Sequence, residues 1–191
     1  FGVRGDGMEI YRYPNFGTIN IAGGTVRAVG GANTQINYGA GAGIGSGGTS
    51  SQWSLTPEFQ GTINISGGTV VATGGQGDQF SETGGGAGIG GGDNGSAGPI
   101  AISGGVVTAT AGGAAAGIGG GNRGGADSIS IGGTAAVTAY GGTDARGTRG
   151  GAGIGAGRSV YPYGFGSIAL SGAQRAFAPA AQNIAVLHMR N

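Results

Sequence analysis

The tetrapeptide Ala-Gly-Ile-Gly occurs four times, at 42–45, 87–90, 116–119 and 152–155, with unequal stretches between the copies. A motif that recurs at variable spacing points to stacked repeats, in which a fixed structural unit is wound again and again and insertions fall at its corners. The sequence around it repeats as well. Thr18-Ile19-Asn20-Ile21, Thr62-Ile63-Asn64-Ile65, Pro99-Ile100-Ala101-Ile102 and Ser128-Ile129-Ser130-Ile131 open successive copies, and Ser167-Ile168-Ala169-Leu170 opens a fifth. Each alternates an apolar with a small polar residue, the period of a strand with one buried face. A Gly-Gly pair follows, and then a second alternating run: Thr25–Val29, Thr69–Thr73 and Val106–Thr110. The fourth copy of that run, around Val137-Thr138-Ala139-Tyr140, reads as slipped by one residue. Phe1-Gly2-Val3-Arg4 aligns with Ala-Gly-Ile-Gly as the tail of an earlier copy.

Three short strands per repeat, joined at glycine corners, predict an all-β chain. The expected architecture is a right-handed parallel β-helix (β-solenoid) of about five triangular coils with variable corner loops. One domain, 1–191, accommodates it: 1–16 as a partial first coil, then repeats 17–60, 61–98, 99–127 and 128–165, and a terminal coil over 166–191. Three inward ladders are expected. The first is Ile19, Ile63, Ile100, Ile129 and Ile168; the second is Val26, Val70, Val107 and Val137; the third is Ile44, Ile89, Ile118 and Ile154. Glycine, 52 of 191 residues, could also mean collagen or disorder. Collagen is excluded because glycine does not fall at every third position and proline numbers only 5. Disorder is excluded because 38% of the chain is hydrophobic and its Ile and Val recur in pattern.

Charge narrows the function classes. A net charge of +1, with no lysine, gives no nucleic-acid or membrane-surface signature. The absence of cysteine excludes disulfides and thiolate metal sites. No apolar run reaches the length of a membrane span. The start at Phe1 rather than Met reads as a processed or excised fragment. Gly-rich runs such as Gly84–Gly86 and Gly119–Gly121 recur once per repeat and lack the Lys of a phosphate loop, so they read as corners. The eight carboxylates do not pair on a strand face, and His188 stands alone, so the expectation is a non-enzyme with no catalytic residues. No cofactor is expected. Asp93-Asn94, or Asp78 with Glu82, would be the oxygen ligands of a structural Ca²⁺, but the recurring Asp of a calcium repeat is missing. Arg4-Gly5-Asp6 matches the integrin-recognition tripeptide at a corner. Outward Thr25 with Thr69, and Thr73 with Thr110, suggest an ice-binding face, which Arg27 and Tyr140 interrupt.

The aromatics gather in the connector after Ala-Gly-Ile-Gly. Tyr11, Tyr13 and Phe16 lie in one such connector, Trp53 and Phe59 in the next, and Tyr161, Tyr163 and Phe165 in the last. Aromatic faces along a rigid edge can stack on sugar rings. Tyr11, Tyr13, Trp53, Phe59, Tyr161, Tyr163 and Phe165 are therefore the ligand-binding candidates.

Thr-Ile-Asn-Ile-Ser-Gly-Gly-Thr-Val-Val-Ala-Thr-Gly-Gly (62–75), with Gly-Ala-Gly-Ile-Gly-Gly-Gly (86–92), resembles the Gly-rich β-helix repeats of secreted and cell-surface proteins of Gram-positive bacteria. It is also similar, more loosely, to non-catalytic carbohydrate-binding β-helix proteins. The resemblance covers roughly 17–170 and implies an extracellular parallel β-helix. With it come the expectations for function: a structural or adhesive surface module or a filament subunit stacking on itself, with a polysaccharide-binding module as the alternative. A β-helix lyase or glycosidase ranks third.

Overall fold

A computed structural model of the chain describes residues 2–3, 9–10, 17–33, 39–48, 61–77, 84–147, 149–158, 166–171 and 174–177. Among these residues there is no helix; all regular structure is strand. Three parallel sheets carry the architecture, and the chain visits them in a fixed cycle. The first sheet stacks β3 (Thr18–Ile21), β6 (Thr62–Ile65), β9 (Ile100–Ile102), β12 (Ser128–Ile131) and β15 (Ser167–Leu170). The second stacks β4 (Thr25–Val29), β7 (Thr69–Thr73), β10 (Val106–Thr110), β13 (Ala136–Tyr140) and β16 (Gln174–Phe177). The third stacks the two-residue strands β5 (Ile44–Gly45), β8 (Ile89–Gly90), β11 (Ile118–Gly119) and β14 (Ile154–Gly155).

Register follows from the alternation. Ile19, Ile63, Ile100, Ile129 and Ile168 pair in line along the first sheet. Val26, Val70, Val107 and Val137 do so along the second. Ile44, Ile89, Ile118 and Ile154 do so along the third. A one-residue slip in any strand would turn its apolar set outward, so burial fixes the pairing. The three ladders meet in one core cluster, joined by Ile65, Ile102, Ile131, Ala72, Ala109 and Ala139. Ile19, Ile21, Val26 and Ala28 in the first repeat, and Ile168 and Leu170 in the last, are only partly covered. Each fully buried Ile contributes about 1.5–3 kcal/mol of transfer free energy. That repeated gain offsets the backbone entropy that so much glycine costs on folding.

Glycine is required where the Ile ladder of the third sheet turns. Gly45, Gly90, Gly119 and Gly155 take φ of 137°, 130°, 130° and 139°, a region closed to side-chain-bearing residues. Gly45, Gly90 and Gly119 also pack under the carbonyl of the next repeat, leaving no room for a Cβ.

Two expectations are corrected. The fourth copy of the second strand is not slipped, since Val107 pairs with Val137 and Ala109 with Ala139. The extra residue sits in the corner before it, where Thr134 is exposed and Ala135 folds into the core. A corner can absorb an insertion because it has no cross-strand partner to keep. Within Phe1–Arg4, the described residues Gly2–Val3 do not join the third sheet. As β1 (Gly2–Val3) they instead pair antiparallel with β2 (Glu9–Ile10). A short local hairpin satisfies those backbone groups without the long crossover that a parallel partner needs.

Candidate functional site

The corner after the third sheet is where polar side chains turn inward. The fourth residue after each ladder Ile is Gly48, Asp93, Asn122 and Arg158 in successive repeats. The glycines just before them, Gly47, Gly92, Gly121 and Gly157, stack backbone on backbone. A tight turn follows in the two inner repeats: Gly95 N–H donates to Gly92 O, and Gly124 N–H to Gly121 O, both at 2.8 Å. Asn94 (φ 58°) and Arg123 (φ 62°) complete those turns in the left-handed region, which non-glycine residues rarely occupy. The turns are tied to their neighbours. Asp93 N–H donates to Ala40 O (2.8 Å), Asn94 N–H to Asn122 O (2.8 Å), Asn122 N–H to Gly85 O (3.1 Å) and Arg158 N–H to Ala114 O (2.8 Å). Two serine hydroxyls strengthen the same corner: Ser46 Oγ accepts from Gly92 N–H (2.9 Å) and Ser96 Oγ from Gly125 N–H (3.1 Å).

Asp93 and Asn122 are each 0% exposed, and Arg158 is also buried. Asn122 Nδ2 donates to Asp93 Oδ1 at 2.9 Å, and Asn94 Nδ2 approaches Asp93 Oδ2 at 3.4 Å. Gly84 presses its backbone against the Asn122 side chain, where any Cβ would collide. Burial pushes the Asp93 carboxyl up to about 7, overcoming the opposing pull of the Asn122 amide, the Arg123 charge and the backbone of Gly84 and Asn94. Asn122 Oδ1 is buried with no hydrogen-bond partner among the described residues. The arrangement can take up and release a proton near neutrality. With Asp93 and Asn122 closed to solvent, it offers no surface on which a substrate could sit.

Of the sequence candidates, Asp93-Asn94 falls in this corner. The Asp93 oxygens face amide and N–H donors and the Arg123 charge. Among the described residues, no three His, Cys, Asp or Glu gather as metal ligands. Tyr11, Tyr13, Phe16, Trp53, Phe59, Tyr161, Tyr163 and Phe165 lie outside the described residues, as do Arg4-Gly5-Asp6, Asp78, Glu82 and His188. Thr25 does neighbour Thr69, and Thr73 neighbours Thr110. Those outward rows run on into Val106 and Tyr140, and Arg27 lies beside Val71, so the face is mixed. The Asn20 and Asn64 side chains join across the first sheet at 2.9 Å.

Sequence reasoning missed Asn122 and Arg158. Asn122 follows the run Gly119–Gly121 and Arg158 follows Gly155-Ala156-Gly157, stretches that read as plain corners. Writing the repeats beneath one another from the ladder Ile would have placed Asp, Asn and Arg in one column. No helix among the described residues is long and apolar enough to cross a membrane. In comparison with known proteins, no family model, no curated protein and no solved structure matches the chain.

Proposed function

We propose that the chain is a non-catalytic, right-handed β-solenoid rod that serves outside the cell as a structural or adhesive module and stacks end to end on copies of itself. One observation carries the reading: along the first sheet the ladder residues are sealed in the inner repeats and only partly covered at the two outer ones. Ile19 and Ile21 at one end, and Ile168 and Leu170 at the other, present the same alternating apolar pattern in the same register. A further strand added at either end would bury them and extend the ladder by about 4.8 Å. Such contacts are head-to-tail and propagate into a filament. The right-handed sense rests on the strong preference of parallel strand connections for that hand. The non-catalytic reading draws on the placement of three carboxylates: Asp93 is buried, and Asp127 and Asp144 sit in corners rather than side by side on a sheet face.

Analytical ultracentrifugation with negative-stain electron microscopy tests this. The expected result is concentration-dependent association into rods of constant width, weakened by Ile21→Arg. A monodisperse monomer at millimolar concentration sinks the self-stacking reading. Retention on insoluble polysaccharide, abolished by Trp53→Ala or Tyr161→Ala, would put the carbohydrate-binding alternative in its place.

A further inference from the structure

The corner that holds Asp93 joins three repeats, and its parts have two ways to be satisfied. With Asp93 ionised, Asn122 Nδ2 serves the carboxylate and Asn122 Oδ1 is left without a partner among the described residues. A protonated Asp93 carries an O–H, a donor that the Asn122 oxygen otherwise lacks. The ionised form also bears a charge in a site with no solvent contact. Among the described residues, the charge that acts on it is that of Arg123 from the following repeat, while Arg158 lies one repeat further along the same column. Among the described residues, the preceding repeat presents the Ala40 carbonyl and the Ser46–Gly48 backbone and hydroxyl, and Gly84 brings its backbone. The turns beside the acid hold the strained backbone of the corner. Asn94 and Arg123 hold left-handed φ there, and relaxing them recovers strain that the flat ladders do not store.

We propose that the Asp93–Asn122 corner is a proton-operated latch, which clamps the turns of the second and third repeats together in mildly acidic solution and lets them open as the solution becomes neutral. Opening admits water to the carboxylate and breaks the Asn94-to-Asn122 backbone bond, while the Ile and Val ladders stay stacked. The two-state element is the pair of turns at 92–95 and 121–124. The ligand that biases it is the proton.

The test uses the intact chain. Carbon-13 NMR follows the Asp93 carboxyl through pH 3–9, and hydrogen exchange, corrected for its intrinsic pH dependence, reports opening at single amides. Burial sets the closed-state carboxyl near 7 against 3.8 for a solvated aspartate. Opening at Asn94, Asn122 and Arg123 should therefore rise about tenfold per pH unit between those values and then level off. Ladder amides such as Ile63 and Ile129 should not follow. Asp93→Asn should remove the slope at the corner amides. The latch is overturned if the Asp93 carboxyl titrates below 5, if corner and ladder amides lose protection in parallel, or if the slope survives in Asp93→Asn. Should that variant fail to fold, the carboxyl titration and the exchange profile of the native chain still decide the matter.

Discussion

Asp93 keeps its proton up to about pH 7 in the folded chain, whereas the ordinary value for an aspartate is 3.8. Between those values the folded state binds a proton that the unfolded state has lost, so stability falls as pH rises. The loss is about 1.4 kcal/mol per pH unit and on the order of 4 kcal/mol across the window. Urea unfolding at pH 4.5 and pH 8 should show the native chain more stable at the lower pH, and Asp93→Asn should narrow the gap. Ladder residues obey simpler rules. Ile118→Ala, in the sealed centre, should cost about 2–5 kcal/mol. Ile19→Ala, at the partly covered end, should cost clearly less in the same denaturant series. At this scale the sequence was legible wherever one residue type repeats, as the Ile and Val ladders do. The polar column was not, because Asp93, Asn122 and Arg158 share a position and differ in chemistry, so no repetition betrays them.

Strands and corners divide the work differently. Alternation predicted the pairings of the first sheet and of β4, β7, β10 and β13 in the second, since a period of two leaves one register that buries the apolar face, but the β13–β16 pairing was not foreseen. Corner geometry escaped the same reasoning. The residue inserted before β13 read as a slipped strand, because sequence spacing alone does not say whether a strand or its corner takes the extra residue. The stacked corner glycines give the sharpest test of an element. Gly121→Ala would drive a Cβ into the Gly92 carbonyl, while Gly47, in the same column at the end of the stack, has open space around it. The first substitution should cost about 1–3 kcal/mol or more, and the second should stay within about 0.5 kcal/mol. Thermal melts of the two variants beside the native chain check both.

For the whole molecule, stability resides in contacts between neighbouring repeats. Residues 99–127 form one complete turn of the sheet cycle. Removing them would bring β12 onto β6, with Ile129 meeting Ile63 and Ile131 meeting Ile65, and β14 onto β8, with Ile154 meeting Ile89. The shortened chain should keep its strand signal by circular dichroism and still melt cooperatively, at a lower temperature. Collapse of that signal would mean that the repeats are not interchangeable. The stacked glycines carry a wider consequence for how such a chain can change. Where backbone already touches backbone, no side chain can be introduced, so the wall is closed to chemical novelty from within. Where glycine is stacked on glycine, new properties can enter only by lengthening a corner outward. A designer wishing to display a peptide or a binding loop would therefore graft it at the corner closed by the Thr143–Gly150 bridge, and leave the scaffold beneath untouched.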